Sequence, residues 1–348
     1  GARLLAYLDV WEHYVTYAED PSILEPALGE VDTAARARIL WQVRLLELGA
    51  GEGCDPLPAS LAPNHAWLKA RLNPLDASKD PCIQSPESKY RGAENQLYRV
   101  EVHAGSGPGK MPTFKWSRNN GSEIFPITAM GGAVVTLAHL GRAGRLEEND
   151  WVEYVDDNFT FGDEGGPLLQ VASIDPVEMK ITLKGGPGTP IPDYDPNGHA
   201  YVRKWDQKGA KGAPLLDGAV RIIEGKDESN WLTLEDGVQI QFQENGEYRP
   251  GDYWLIPARV ATGKIGWPLE SGKPMAVAQQ GVLHHYAPLG IVGAPVRARC
   301  APAPEEKAIG MRNREGCTFS RTDRSITMGM SAPTAPLALI SGQTPRSW

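Results

Sequence analysis

An acidic, glycine-rich loop from Asp156 to Gly166 is the stretch whose residue types come closest to a metal site. It gathers carboxylates and an amide within a few residues, and calcium prefers several oxygen ligands of this kind. The candidate ligands are Asp156, Asp157, Asn158, Asp163 and Glu164. The loop is not an EF-hand, because Leu168 stands at the twelfth position counted from Asp157, where an EF-hand has glutamate. The alternatives are therefore a calcium site and an ordinary solvated acidic turn.

His284 and His285 are the one adjacent pair among the seven histidines. Neighbouring side chains of an extended strand point to opposite faces, so the two imidazoles cannot easily share one metal ion. The sequence contains no HExxH pattern, and no third ligand stands at a usual spacing. A packed or hydrogen-bonded pair is therefore favoured over a metal or acid–base site.

Paired carboxylates are the other candidate chemistry, because glycoside hydrolysis uses one carboxyl group as an acid and a second as a base or nucleophile. Candidates are Glu235 with Asp236, Asp156 with Asp157, and Asp252. Glu235 and Asp236 lie in a predicted hairpin turn, where backbone capping already explains acidic residues. There is no GxSxG motif, and the segment 105–110 lacks the first glycine and the final Ser or Thr of a phosphate loop. Enzymatic activity stays open, and a non-enzymatic role is favoured.

The four cysteines are Cys54, Cys82, Cys300 and Cys317. Pairing Cys54 with Cys82 and Cys300 with Cys317 would staple two irregular loops, although four cysteines allow three connectivities. Disulfides and free buried thiols are equal alternatives. Zinc ranks below both, because no CxxC spacing is present.

Ten tryptophans stand in the 348 residues. Seven of them fall in or next to predicted strands, namely Trp11, Trp41, Trp116, Trp151, Trp205, Trp231 and Trp254. Exposed aromatic rings can bind sugars, whereas aromatics in alternating strands are usually core residues. The core interpretation is favoured, and a glycan-binding surface is the alternative.

Strands must position these residues, because apolar and polar side chains alternate with period two through much of the chain. Residues 97–104 and 113–118 show the pattern clearly, and Asn120-Gly121 after them predicts a tight hairpin. Asp236-Gly237 predicts another hairpin. Residues 201–205 predict a further strand.

The predicted fold is mainly β, with several short antiparallel strands forming small barrel or sandwich units and few short helices. Helix is expected in a turn over 33–38 capped by Asp32 and in a short segment over 65–72. The expected segments are a β-rich domain with a Pro-rich loop insertion (1–131), a small barrel-like domain (132–206), a second β-rich domain or a return to the first (207–300), and an extended C-terminal arm (301–348).

Composition limits the partners. A formal net charge of -8 and a pI near 5.5, without clustered Lys and Arg, argue against nucleic-acid binding. The longest apolar runs are far shorter than the roughly 20 residues of a membrane span. The chain begins within a predicted strand, without an initiator Met or signal peptide, so we expect it to be a piece of a longer protein.

Six segments, taken in order, carry a resemblance. They are YRGAENQLYRVE (90–101), FKWSRNNGS (114–122), RKWDQ (203–207), LEDG (234–237), GDYWLIPAR (251–259) and HHYAPL (284–289). Together they resemble an uncharacterised bacterial family of large β-rich proteins, some with phage-tail-like or contractile-injection gene neighbourhoods. The resemblance runs from about residue 7 to 289 and implies no agreed catalytic residues. The family typically carries a further N-terminal segment.

The expected function is that of a non-enzymatic structural or interaction protein in a secreted or particle-associated assembly, phage-tail-like or filamentous. Self-association and contacts with other assembly proteins would follow, at an extracellular or particle-associated location, with cytoplasmic assembly before release also open. The alternatives are a carbohydrate-binding or carbohydrate-active β module and a calcium-stabilised adhesin. No cofactor other than calcium is expected.

Overall fold

The structure is a computed structural model that describes residues 2–28, 36–62, 64–73, 89–107, 109–140, 146–162, 164–186, 188–208, 214–293, 298–300, 318–322 and 325–329. Strands account for 47% and helical turns for 6%, which confirms the predicted mainly β class. The chain forms two compact units. The first consists of Gly1–Leu8, Val43–Pro58 and Tyr286–Trp348, and the second of Asp9–Gln42 and Ala59–His285.

Most strands are short, whereas β1 and β2 have 12 residues each. Their bounds are β1 Leu4–Val15, β2 Arg36–Glu47, β3 Trp67–Leu72, β4 Gln96–Ala104, β5 Thr113–Ser117, β6 Ile124–Gly131, β7 Val134–Leu137, β8 Trp151–Val155, β9 Leu168–Asp175, β10 Lys180–Lys184, β11 Tyr201–Trp205, β12 Leu215–Leu216, β13 Ala219–Arg221, β14 Leu232–Thr233, β15 Val238–Phe242, β16 Tyr253–Arg259, β17 Lys264–Ile265, β18 Leu269–Glu270, β19 Lys273–Pro274, β20 Val277–Ala278, β21 His284–Val292, β22 Ala298–Arg299, β23 Thr318–Thr322 and β24 Ser325–Gly329. The helical turns are α1 Asp157–Thr160 and the 3-10 turns Pro21–Ile23, Pro26–Leu28, Ala59–Leu61 and Glu228–Asn230.

Two sheets in the second unit share one apolar core. A six-stranded sheet has the order β12-β13-β5-β4-β16-β17, and a four-stranded sheet has the order β14-β15-β3-β20. Alternate residues of their central strands enter this core, among them Tyr98, Val100 and Val102 on β4 and Val238, Ile240 and Phe242 on β15. Successive side chains of a strand point to opposite faces, so the apolar residues that enter this core stand at every second position of both strands.

A closed barrel with the strand order β10-β7-β6-β11-β8-β9 forms the other part of the second unit. Its core is filled by apolar side chains, including Phe125, Val135, Val152, Tyr154, Leu169 and Val202. In chain order the barrel lies between β5 and β12, so it is inserted between two strands of the six-stranded sheet. The barrel includes β6 and therefore begins before the expected boundary at residue 132.

The remaining sheets are smaller. β2, β1, β21 and β22 form a four-stranded sheet in that order, and β18-β19 and β23-β24 are two-stranded. In the described part of the chain, no helix is long and apolar enough to cross a membrane.

The helix predicted over 65–72 is wrong, because this segment forms the strand β3. Leu68 and Ala70 are fully buried while Trp67 and Lys69 point to the other face, a period of two and not of 3.6. The pairing partner β15 places Phe242 opposite Leu68. That partner is distant in sequence, so local residues could not reveal it. Of the helical turn expected over 33–38, residues 36–38 belong instead to the strand β2. Residues 29–35, with the proposed Asp32 cap, lie outside the described residues.

The two predicted hairpin turns have different outcomes. Asp236 and Gly237 have φ of 49° and 87° and join the antiparallel pair β14 and β15, so this hairpin is confirmed. Asn120 and Gly121 also have positive φ, 55° and 63°. They do not close a hairpin, however, because β6 after them pairs with strands of the barrel and not with β5.

The local cysteine pairing is corrected by a disulfide between Cys54 and Cys300, whose Cα atoms are 5.6 Å apart across a sequence separation of 246. Both cysteines belong to the first unit. This bond excludes the pairs Cys54–Cys82 and Cys300–Cys317. Proximity in sequence misled the prediction because the fold brings Cys54 and Cys300, which are distant in sequence, together in one unit. Cys82 and Cys317 lie outside the described residues.

Candidate functional site

Charged side chains are buried where the six-stranded sheet meets the barrel. Glu101 on β4, Lys115 on β5 and Glu153 on β8 are 5%, 2% and 3% exposed. The register of β4 and β5 places Glu101 opposite Lys115. The Lys115 ammonium contacts both carboxylates, with Nζ 3.2 Å from Glu101 Oε1. Since buried charges must be paired, the three residues act as one ion cluster.

The carboxylate oxygens of this cluster are also hydrogen-bonded to other protein groups. The Gly166 N–H donates to Glu153 Oε1 at 3.1 Å, and the Trp205 indole N–H donates to Oε2 at 2.9 Å. Arg99 Nε donates to Glu101 Oε2. The Trp205 ring also covers the cation, with its centroid 4.6 Å from Lys115 Nζ. The cluster is therefore satisfied from within the protein.

Burial and neighbouring cations shift the pKa values of Glu101 and His103. Burial alone would raise the pKa of Glu101, but Arg99, Lys115 and Arg203 outweigh it and lower that pKa to about 2. His103, on the same strand, has its pKa lowered to about 4 by burial and then by the Lys115 charge. At neutral pH the cluster therefore holds an ionised Glu101 beside a neutral imidazole.

Two carboxylates and a lysine resemble acid–base machinery, but these side chains do not line an open site. A cleft of about 480 Å³ lies elsewhere, lined by Ser106, Pro112, Arg221, Ile222, Ile223, Glu224, Gly246 and Tyr248. The Glu224 carboxylate in this cleft accepts from the Asn245 and Gly246 N–H groups, both at 3.0 Å, and from the Tyr248 hydroxyl at 2.9 Å. The Glu224 carboxylate thus holds the turn at Asn245 and Gly246 in place. The buried cluster, in turn, holds the barrel against the sheet.

A second, more exposed charged group lies where the chain enters and leaves the barrel. The Arg118 N–H donates to Asp206 Oδ2 at 2.9 Å, and Arg118 Nη2 donates to Glu235 Oε2 at 2.8 Å. The Tyr98 hydroxyl donates to Glu235 Oε1 at 3.2 Å. Burial raises the pKa of Glu235, against the opposing effect of Arg118. Arg118 thus joins the two ends of the inserted barrel to the hairpin that carries Glu235.

The predicted calcium loop uses its first carboxylate for the backbone. Asp156 Oδ1 accepts from the N–H groups of Asn158 and Phe159 at 2.9 and 3.2 Å and so caps α1. Asp157 turns to His199, with Oδ2 3.0 Å from Nδ1, and Glu164 is exposed. Asp163 lies outside the described residues. Among the residues that the structure describes, no group of three or more His, Cys, Asp or Glu side chains is arranged to hold a metal ion.

The two histidines lie at the start of β21, and His284 is tied down. Its Nδ1 lies 2.7 Å from Asp9 Oδ1, and its ring stacks on Trp11 with a centroid distance of 5.2 Å. His285 is half-buried. The structure thus places His284 in a hydrogen-bonded, stacked arrangement.

Asp252, the remaining candidate carboxylate, caps a turn. Asp252 Oδ2 accepts from the Arg249 N–H at 3.1 Å, and Asn64 also donates to it. Asp150 Oδ2 accepts from the Glu147 N–H at 2.8 Å in the same way. Burial raises the pKa of Asp252. Both aspartates fix the turn that leads into an aromatic strand.

The tryptophans divide between core and surface. Trp11, Trp116, Trp205 and Trp254 are buried, Trp151 and Trp231 are half-buried, and Trp41 and Trp67 are 64% and 37% exposed. The glycan-binding alternative therefore stays open at the two exposed rings, Trp41 and Trp67.

Sequence reasoning missed the ion cluster. It placed Glu101 on the polar face of β4 and did not single out Lys115 or Glu153. One signal was present, because Lys115 stands between Phe114 and Trp116 in a strand where all five residues are buried. A charged residue in a fully buried strand indicates a paired charge. Its partner on β8 belongs to the inserted barrel, which local sequence does not reveal.

The chain was compared with known protein families, curated proteins and solved structures. No curated protein and no solved structure matches the chain. A family model described as a family of unknown function (DUF6519) matches residues 2–54 and 54–304. The expected resemblance to an uncharacterised family is thereby confirmed, and the chain belongs to the DUF6519 family.

Proposed function

We propose that this protein is a non-enzymatic structural subunit that associates with copies of itself and with other components of an assembly. The assembly is secreted or particle-associated, of a phage-tail-like or filamentous kind. The described charged residues support a structural role, because the buried cluster, Asp156 and Asp252 are occupied by internal contacts.

The observation that carries the proposal is the apolar side of β2. Trp41, Val43 and Leu45 occupy alternate positions on this strand and are 64%, 56% and 61% exposed. Strand alternation places the three side chains on one face. β2 also stands first in the strand order of its sheet. Long edge strands with exposed apolar side chains are templates for pairing with another chain, so a second copy is the partner that we propose.

The disulfide supports the proposed location. Disulfides persist in oxidising compartments and are rare in the cytosol. Cys54 and Cys300 form such a bond in the first unit. An extracellular or particle-associated location is the one in which this bond would be kept.

Sedimentation velocity at micromolar concentration tests the proposal. The unaltered chain should sediment as a dimer or larger species, and the double variant Trp41→Lys/Val43→Lys should sediment as a monomer because two charges replace the apolar side chains. Leu269→Lys is the matched control, since Leu269 is 62% exposed on another strand, and it should leave the association unchanged. A wild-type chain that stays monomeric at every concentration contradicts the proposal.

The calcium-stabilised adhesin stays a second proposal, because the acidic loop has the oxygen-rich composition that calcium prefers. Thermal unfolding with and without EDTA tests it. A melting temperature that does not change on EDTA treatment removes it.

A further inference from the structure

The four-stranded sheet of the second unit has one face in the core and one face directed away from it. Leu68, Ala70 and Ile240 point into the core and are at most 1% exposed. On the other face, Trp67, Lys69 and Arg71 of β3 and Gln243 after the end of β15 are at least partly exposed, whereas Gln239 and Gln241 of β15 are buried, 7% and 2% exposed. We name this surface, together with Trp231 and His65, the aromatic face.

Two tryptophan rings on the aromatic face are each backed by a flat neighbour. Trp67 is 37% exposed and lies parallel to the His65 ring, with centroids 5.8 Å apart and an interplanar angle of 12°. Trp231 is half-buried and carries the Arg71 guanidinium 4.0 Å from its ring centroid. A backed ring is held in one orientation, so the rest of its surface can meet a ligand without a loss of side-chain entropy.

The two rings stand at opposite ends of one strand. Trp67 and Arg71 are four residues apart on β3, which corresponds to about 13 Å at the usual strand rise of about 3.3 Å per residue. Trp231 is stacked on Arg71. An oligosaccharide spans such a distance, whereas a single sugar ring does not.

Polar groups lie between the rings, and the guanidinium charge is neutralised. The Arg71 guanidinium donates to both Glu228 oxygens at 3.0 and 2.6 Å, and its Nε donates to Gln239 at 2.9 Å. Lys69 lies opposite Gln241 in the register, and the Gln243 N–H donates to the Trp67 carbonyl at 3.0 Å. Gln239 and Gln241 are buried and hydrogen-bonded within the protein, so Lys69 is the polar side chain that a ligand can reach between the rings. Two rings with an amine between them match a ligand with apolar ring faces and hydroxyl edges.

We propose that the aromatic face binds a neutral oligosaccharide chain, with Trp67 and Trp231 each stacking on a sugar ring. The apolar C–H face of a pyranose packs on an aromatic ring, and Lys69, which stands midway between Trp67 and Arg71 on β3, is placed to hydrogen-bond hydroxyl groups between the two rings. A neutral ligand fits because Glu228 already balances Arg71. This binding would give the proposed structural subunit a target surface, but it does not depend on self-association.

Isothermal titration of the full chain with cellohexaose, maltohexaose, xylohexaose, mannohexaose and chitohexaose tests the proposal, with glucose and N-acetylglucosamine as short probes. At least one hexasaccharide should bind and the monosaccharides should not. Trp67→Ala and Trp231→Ala should each weaken that binding tenfold or more, and Trp67→Tyr should restore most of it because the ring is kept.

Tyr14→Ala is the control, since Tyr14 is an aromatic side chain 66% exposed on β1, and its binding should equal that of the unaltered chain. Circular dichroism of each variant separates lost binding from lost folding. The inference is overturned if none of the five hexasaccharides binds, or if both tryptophan variants fold and bind like the unaltered chain. Sedimentation velocity reports separately on the self-association proposed above.

Discussion

Lys115 contacts two buried carboxylates, and Arg99 supplies the second positive charge at Glu101. The Lys115 ammonium touches Glu101 on the neighbouring strand and Glu153 in the barrel, and all three residues are at most 5% exposed. Replacing the pair by apolar groups can be neutral, whereas removing one partner leaves a buried charge uncompensated. At the scale of single residues, the attachment of the barrel therefore depends strongly on one lysine.

Lys115→Met is expected to lower the free energy of unfolding by about 3–5 kcal/mol, the usual range for breaking a buried ion pair. Urea denaturation followed by circular dichroism measures it. Lys180→Met is the matched control, because Lys180 pairs with Glu178 on the surface and its side chain is 42% exposed. The control should not differ measurably from the wild type. A Lys115→Met protein as stable as that control would show that the buried cluster does not hold the barrel.

At the scale of elements, the strand β4 contains a β-bulge at His103. The register of β4 against β5 shifts between Val102 and Ala104, so His103 is the extra residue of a bulge. Its Nδ1 is buried and has no hydrogen-bond partner among the described residues, and it lies against Gly165 in the barrel loop. His103 is two residues from Glu101 on β4, so strand alternation places the imidazole on the face of the sheet that carries the buried charges.

The pH dependence of stability should follow from this placement. The pKa of His103 falls from 6.5 to about 4 on folding, so the unfolded chain binds the proton more readily between these values. Stability should therefore decrease as the pH falls from 6.5 to 4, by up to about 1.4 kcal/mol per pH unit from this group. The pKa of Glu101 falls from 4.5 to about 2, which extends the loss below pH 4.5.

His103→Gln removes the first of these two windows and should flatten the stability curve between pH 6.5 and 4. Urea denaturation at a series of pH values measures the curve, and NMR titration of the histidine Cε1 protons reports the pKa of His103 directly. A wild-type His103 that titrates near 6.5, or a variant with an unchanged slope, would show that the imidazole is not buried beside Lys115.

Strands with a clear alternation or clear turn residues were predictable, and those fixed by distant partners were not. β15 has an apolar side chain at every second position and follows Asp236-Gly237, although all five of its residues are buried. β11 also matches an expected strand. The sequence predicts a helix at β3 because the apolar residues of the short segment from Trp67 to Leu72 do not distinguish a period of two from one of 3.6. Its pairing with β15 and β20 decides the outcome. The alternation of apolar and polar residues in β4 does not reveal the bulge at His103 either.

At the scale of the whole molecule, the chain order conceals an insertion. The barrel separates β5 from β12 and β13, although β13 pairs directly with β5. The start and end of the inserted segment are close, because the Asp206 N–H donates to the Trp116 carbonyl at 2.8 Å. A sequence read in order gives successive segments. It does not show that the segment after the barrel returns to the sheet that contains β5. That return depends on the pairing of β13 with β5, two strands separated in the chain by the whole barrel.

The disulfide is the corresponding long-range link in the first unit, and it gives the last prediction. Cys54 and Cys300 close a loop of 246 residues, and a cross-link over so long a loop removes much conformational freedom from the unfolded chain. Cys300→Ser should lower the free energy of unfolding by about 2–5 kcal/mol. Thermal unfolding with and without dithiothreitol measures the effect, and the reductant should destabilise the wild type more than the variant. Peptide mapping under non-reducing conditions identifies the bond itself. A fragment joining Cys54 to Cys82 would contradict the predicted loss, because the link between the two ends of the chain would then not exist.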